Sequence, residues 1–258
     1  MIFQTFLCLA FFAMSYANVN NTEITKFEHN FCESRLQNNQ PPELYNAYTS
    51  LAISVFPFVF GFPKHQPYVN IAYALAFNGF ASFHYHYYLD WVGKQADEIS
   101  MILANYYGLN GLIGLAYRNK KNKQTYQFFN MLYMYLFLIV NTIIKYDQYF
   151  PDLYGIYLIP SIYLIRKVAL ENNLPYKRHL FISFIGGLCW IISELHCTKT
   201  TQYGHVVWHF LFPMGFYKIV LNYDALQHKL TNSLMLVVLP VAMPPVSPNV
   251  NILNILSH

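Results

Sequence analysis

Long apolar runs separated by short polar segments dominate this sequence. A helix needs about 20 predominantly apolar residues to cross the hydrocarbon core of a bilayer. Seven runs approach or reach that length: 44–63, 68–89, 97–117, 125–144, 149–165, 179–196 and 204–223. Because the segments between them are brief, we expect each helix to pack beside its sequence neighbour. The pattern therefore predicts an all-α protein, a seven-transmembrane-helix bundle over residues 44–223.

The two ends of the chain differ from the bundle. Residues 2–14 form an apolar run too short to span a bilayer, and small residues follow it at Ser15 and Ala17. This predicts a cleavable signal peptide over residues 1–17, with a retained anchor as the alternative. Residues 18–43 then form a lumenal segment. Residues 224–258 form a cytosolic tail, and after residue 230 we expect an irregular or surface-lying end rather than an eighth span, because several prolines interrupt it from Pro240 onward.

The basic residues predict the orientation of the bundle. Loops on the cytoplasmic side of membrane proteins are enriched in Lys and Arg. The loops after the third and fifth runs hold Arg118, Lys120, Lys121, Lys123, Arg166, Lys167, Lys177 and Arg178. The loops of the opposite side hold only Lys94, Lys145 and Lys199. We therefore expect a lumenal or extracellular N-terminus and a cytosolic C-terminus.

Composition supports the membrane assignment. The 258 residues are 55% hydrophobic and 11% charged, whereas soluble domains carry about 25% charged residues. This excludes a cytosolic globule and a disordered chain. The net charge of +4 is scattered over loops, which predicts no nucleic-acid partner.

Polar residues in the predicted spans gather near the outer ends of three of them. His205 and His209 are four residues apart, as are Ser82 and His86, so each pair shares one helix face. Asp97 begins the third run at the same expected depth. Because ionisable groups are costly inside a membrane, their presence there suggests function.

These residues predict a catalytic zinc site. His86, His205 and His209 supply three neutral nitrogen ligands and leave a fourth position for water, as in catalytic zinc sites. Asp97 would orient or deprotonate that water. The alternative is that the histidines only pair with Ser or Tyr hydroxyls. We expect His84, Asp90 and Glu98 to be interfacial polar groups.

The spacing of these residues resembles that of a known group of membrane hydrolases. Ser82-Phe-His-Tyr-His86, then Asp97, then His205-Val-Val-Trp-His209 are similar to the motifs of seven-span hydrolases that include adiponectin receptors and GPI-anchor remodelling enzymes. Residues 95–102, residues 42–50 and Trp190 before Cys197 resemble the alkaline ceramidase branch specifically. The similarity covers about residues 30 to 225.

The resemblance implies zinc-dependent hydrolysis of the amide bond of ceramide-like sphingolipids to a sphingoid base and a fatty acid. Asp97 would be the acid–base residue, Ser82 the donor to the oxyanion and Glu43 a contact to the substrate's polar head. Two alternatives stay open: a hydrolase of GPI-anchor or other lipid esters, and a non-catalytic, receptor-like lipid-binding protein. The expected partner is a membrane lipid, with no obligate protein partner, in the endoplasmic reticulum or Golgi membrane.

The N-terminal segment resembles the calcium-binding segment of the ceramidases with two departures. Glu33 and Glu43 match acidic positions of that segment, but Asn30 replaces an acid and Arg35 replaces a neutral ligand. One anion is lost and one cation is gained, so we expect a degenerate calcium site with weak or absent binding. Arg35 is expected to pair with Glu33 and Glu43 in place of the ion.

Two cysteines fall on the predicted lumenal side. Cys32 precedes the first span and Cys197 follows the sixth, in a compartment that is oxidising. The resemblance supports their pairing, because the ceramidases carry cysteines at the matching positions. We therefore predict a Cys32–Cys197 disulfide that holds the N-terminal segment over the mouth of the site, with two free thiols as the alternative.

Overall fold

The computed structural model describes residues 31–38, 40–143 and 149–238. The predicted signal peptide, Asn30 and the end of the tail lie outside these ranges. All regular secondary structure of the described residues is helical. In chain order the helices are α1 (Cys32–Leu36), α2 (Leu44–Phe60), α3 (Tyr68–Tyr88), α4 (Trp91–Ala116), α5 (Lys120–Ile143), α6 (Tyr149–Asn172), α7 (Lys177–Leu195) and α8 (Tyr203–Val238).

Helices α2 to α8 follow the seven predicted runs in order, but two bounds differ in a way that matters. Helix α4 begins at Trp91 rather than at 97, because the Asp90 carboxylate caps it by accepting a hydrogen bond from Gly93 N at 2.6 Å. Asp97 therefore lies inside the helix and not at its mouth. Helix α8 continues to Val238, well past the predicted end of its run at residue 223, so the residues directly after 230, where an irregular or surface-lying end is expected, are helical; residues 224–238 contain neither Pro nor Gly.

Membrane-spanning character is clearest in three helices. Among the described residues, α4, the Phe150–Asn172 part of α6, and α7 are long and apolar enough to cross a membrane, and α2 is a shorter apolar helix. Large apolar side chains also point outward, with Phe58 71% and Leu195 74% exposed. A soluble monomer rarely exposes an apolar surface of this kind, which supports a lipid-facing exterior. Seven spans and their orientation remain predictions from sequence.

Close helix packing brings α3 and α8 to the same end of the bundle. Helix α3 packs along both α2 and α4, while α8 packs along α7 and also against α2. The contacts are tight where glycines lie: a Cβ at Gly79 would overlap Ser54 of α2, and one at Gly204 would overlap the Cys189 carbonyl of α7. The start of α8 is thereby held against α7, and the polar residues of α3, α4 and α8 surround one interior space.

Candidate metal centre

Three buried histidines meet at this end of the bundle. His86 lies in the last turn of α3, and His205 and His209 lie in the first two turns of α8. All three are nearly inaccessible, with 1%, 4% and 2% of their surface exposed. Each offers one ring nitrogen, and these atoms lie within 4.8 Å of one another. The pair His205 and His209, recognised from its helical spacing, is thus joined by His86 from a second helix. The three rings together can hold a metal ion.

The other ring nitrogen of each histidine faces an oxygen atom of a neighbouring residue. Nδ1 of His86 lies 2.6 Å from Oε2 of Glu43, and Nδ1 of His209 lies 3.0 Å from Oγ1 of Thr49. Nδ1 of His205 lies 3.7 Å from Oε1 of Glu194. For His86 and His209 these hydrogen bonds leave Nε2 as the ligand nitrogen, and such outer oxygens fix the tautomer and orientation of metal-binding histidines, whereas the contact of His205 is too long for a hydrogen bond. The donor set therefore fits a metal with neutral nitrogen ligands, such as zinc.

Glu43 lies behind His86. Its side chain is fully buried, and its carboxylate accepts hydrogen bonds from Ser34 N at 3.0 Å and from Asn46 Nδ2 at 3.3 Å. The Glu43 backbone N–H also donates to the His86 carbonyl at 2.9 Å. The sequence marked Glu43 as a substrate or calcium contact; the structure places it as the hydrogen-bond partner of a candidate metal ligand.

Asp97 and Ser82 lie together beside the histidines. Asn78 donates to Oδ1 of Asp97 at 2.7 Å, and the Ser82 side chain lies beside the same carboxylate. Asn78 further donates to Ser100 Oγ at 2.9 Å. Asn78 was not singled out from sequence, since a polar amide in a span carries no distinctive spacing. The arrangement holds the Asp97 carboxylate in a defined orientation.

A cavity of about 540 Å³ connects these groups to the interior of the bundle. The three histidines, Ser82 and Asp97 line one end of it. Leu112, Ile165 and Ile219 line it farther along, and Leu112 lies about 22 Å from Asp97 along α4 at 1.5 Å per residue. A polar end followed by long apolar walls is the shape that an extended hydrocarbon chain with a polar head requires.

The interfacial prediction is wrong for Glu98. Lys94 and Glu98 are 1% and 7% exposed, and Lys94 Nζ lies 3.0 Å from Glu98 Oε2. Because α4 begins earlier than expected, Lys94 is a buried helical residue and not a loop charge, and Glu98 lines the cavity beside Asp97. By contrast His84, 47% exposed, pairs with Asp90 at 3.0 Å on the outside.

The N-terminal strap, residues 31–37, covers the histidines. Cys32 is joined to Cys197 by a disulfide, with 5.2 Å between their Cα atoms, and this is the pair that the sequence predicted. The Phe31 ring packs against the rings of His205 and His86, at centroid distances of 4.5 and 5.5 Å. The strap thus closes one wall of the site.

The expected pairing of Arg35 is wrong. Its guanidinium forms an ion pair with Glu194 of α7 at 3.1 Å and not with Glu33 or Glu43. The Glu33 carboxylate instead accepts hydrogen bonds from the backbone N–H groups of Tyr45 and Asn46, at 2.9 and 3.0 Å. Burial raises the pKa of Glu33 above its usual value, partly offset by these two hydrogen bonds. Asn30, the third calcium candidate, lies outside the described residues.

Thr49 and Glu194 are site residues that sequence reasoning missed. Thr49 gave no signal, because a threonine in an apolar helix is common. Glu194 did carry one, since it is an ionisable residue inside the predicted sixth span.

Comparison with known proteins agrees with this geometry. A search of curated proteins finds no match. The model of the family described as Ceramidase matches residues 24–240, well over half of the chain, including the three histidines, Ser82 and Asp97. This protein therefore belongs to the Ceramidase family, which implies hydrolase activity on a lipid substrate.

Proposed function

We propose that this protein is a zinc-dependent amidohydrolase that cleaves the amide bond of ceramide-like sphingolipids into a sphingoid base and a fatty acid. One observation carries the proposal. A cluster of three histidines and a carboxylate lie at the polar end of one long apolar cavity: His86, His205, His209 and Asp97. Membership of the Ceramidase family points to the same substrate class.

The donor set supports zinc as the metal. Three imidazoles are the protein ligands of one class of catalytic zinc site, and each of these has an oxygen atom facing its second nitrogen. When bound, zinc polarises a carbonyl oxygen and lowers the pKa of a water molecule to about 7.

Asp97 is the residue that we assign to proton transfer. Asn78 holds Oδ1 of its carboxylate, and the carboxylate faces the cavity in which the amide bond would lie. It takes a proton from the attacking water and returns it to the leaving amine.

Ser82 is assigned as the donor to the developing oxyanion. Its side chain lies beside the Asp97 carboxylate, so this role requires the hydroxyl to point toward the substrate and not toward Asp97. The full burial of Glu43 and its contact with His86 favour an orienting role for Glu43 over a direct contact with the lipid head.

An activity panel tests the proposal. The purified protein is incubated with ceramides, ester-linked lipids and lysolipids, before and after treatment with a chelator. We expect release of fatty acid and sphingoid base from ceramide, loss of that activity on chelation, and recovery with zinc. Cleavage of the ester lipids alone would favour the ester-hydrolase alternative. Binding without turnover of any lipid would favour a receptor-like protein.

We also propose that the bundle lies in the endoplasmic reticulum or Golgi membrane with the metal centre near the lumenal side. The disulfide Cys32–Cys197 supports this orientation, because it borders the site and requires an oxidising compartment.

Calcium should have little effect on this protein. The Glu33 carboxylate already accepts two backbone hydrogen bonds, and the Glu43 carboxylate contacts His86, so neither needs an ion to offset its burial. We expect the melting temperature and the turnover to be unchanged at 1 mM calcium, with magnesium as the control. A site with a dissociation constant of about 10 μM would instead stabilise the folded protein by about 2.7 kcal/mol at that concentration. A rise of several degrees in melting temperature would therefore contradict the prediction.

A further inference from the structure

We propose that Arg35 is a positioning residue of the metal centre, acting through Glu194 on His205. The proposal deepens the proposed function, because it rests on zinc at the three histidines. It makes the N-terminal strap a part of the centre and not merely a cover over it.

His205 differs from the other two candidate ligands in its second nitrogen. Nδ1 of His86 and Nδ1 of His209 both have an oxygen within 3.0 Å. Nδ1 of His205 is buried and, among the described residues, has no hydrogen-bond partner. Oε1 of Glu194 lies 3.7 Å from it. A small movement of this carboxylate is enough to form the missing hydrogen bond. The orientation of the Glu194 side chain therefore decides whether Nδ1–H of His205 has an acceptor.

Arg35 controls that orientation. Its Nη2 donates to the backbone carbonyl of Glu194 at 2.8 Å and lies 3.1 Å from Oε2 of the same residue. The second carboxylate oxygen, Oε1, is left on the side of His205, where the Ser193 hydroxyl also reaches it at 3.4 Å. One nitrogen of Arg35 thus binds both the backbone carbonyl and the carboxylate of Glu194. These two contacts restrict the rotation of the Glu194 side chain.

The disulfide holds the two partners opposite each other. Arg35 follows Cys32 by three residues, and Glu194 precedes Cys197 by three. The same strap places the Phe31 ring against His205 at 4.5 Å. The Cys32–Cys197 bond therefore keeps Arg35 and Glu194 within contact distance of each other.

The physical consequence concerns zinc affinity. A carboxylate that accepts the second N–H of a metal-binding histidine fixes its tautomer and raises its basicity. Loss of such a partner typically lowers metal affinity by about 10- to 100-fold. Arg35 contacts Glu194 and not the histidine itself. Its removal should therefore also lower zinc affinity, but by a smaller factor.

The test is a set of zinc affinities measured by competition with a chromophoric chelator. Glu194→Gln should weaken zinc binding by about 10-fold or more, and Arg35→Gln by a smaller factor. The double variant should bind zinc as Glu194→Gln alone does, because Arg35 has no route to His205 once the carboxylate is gone. Arg35→Lys, which keeps the charge, should recover part of the loss. Lys199→Gln removes an exposed charge from the neighbouring loop and serves as the matched control.

Two results would overturn the inference while leaving the proposed function intact: wild-type zinc affinity in Arg35→Gln, or an equal loss from this substitution with and without Glu194. The second would mean that Arg35 only stabilises the fold. Absence of zinc binding in the wild-type protein would overturn the proposed function itself, and the inference with it. Mass spectrometry of non-reduced peptides checks that each variant retains the Cys32–Cys197 bond.

Discussion

Replacing His205 or His209 with alanine should remove the bound zinc and abolish hydrolysis while the helical bundle still forms. Each substitution deletes one of the three histidine ligands that the described residues bring together and leaves two of these nitrogens to hold the ion. Metal-ion catalysis supplies several kcal/mol of transition-state stabilisation, and each 1.36 kcal/mol is a factor of ten in rate. We therefore expect turnover to fall by about 10³-fold or more.

The measurement pairs the metal content of the purified protein with its amidase activity. His84→Ala is the matched control, because His84 lies in the same helix as His86 but points outward, where it pairs with Asp90. That variant should keep both zinc and activity. Zinc retained near one ion per chain in the double variant of His205 and His209 would rule out the proposed ligand set.

Replacing Asp97 with asparagine should lower turnover by about 10²- to 10⁴-fold, the usual contribution of an acid–base group. The substitution preserves the shape of the side chain and removes its ability to accept and return a proton. Because Asp97 is not among the clustered ligands, the bound zinc should be unchanged. The informative result is a loss in kcat with metal content kept.

Asp90→Asn is the control for this substitution. Asp90 caps the same helix and pairs with His84 on the outer surface. Asparagine is as good an N-cap as aspartate, so Asp90→Asn should keep the cap and leave both stability and the chemistry nearly unchanged. Near-normal turnover of Asp97→Asn would mean that another group carries the proton.

Much of the site was readable from sequence because it follows helical periodicity. Residues four apart lie on one helix face whatever surrounds the helix, so the pairs Ser82 with His86 and His205 with His209 were evident without coordinates. The order of the helices also followed from the apolar runs.

The predictions were wrong where the environment of a residue depends on contacts with distant parts of the chain. The apolar pattern predicts that Lys94 lies in a loop and Glu98 at the interface, but the helix that buries both residues begins before its apolar stretch. The sequence predicts that Arg35 pairs with nearby acidic residues, whereas its partner lies 159 positions away in α7.

By itself the sequence determined an all-helical, apolar chain, its candidate ligands and their relative faces, because backbone hydrogen bonding and side-chain periodicity are local properties. Only the tertiary structure decided which residue places an oxygen beside the second nitrogen of each histidine: Glu43, Thr49 or Glu194. Those contacts depend on how α2, α7 and the strap pack around α3 and α8. Such packing is set by close fit over many side chains at once, which no spacing within one segment encodes.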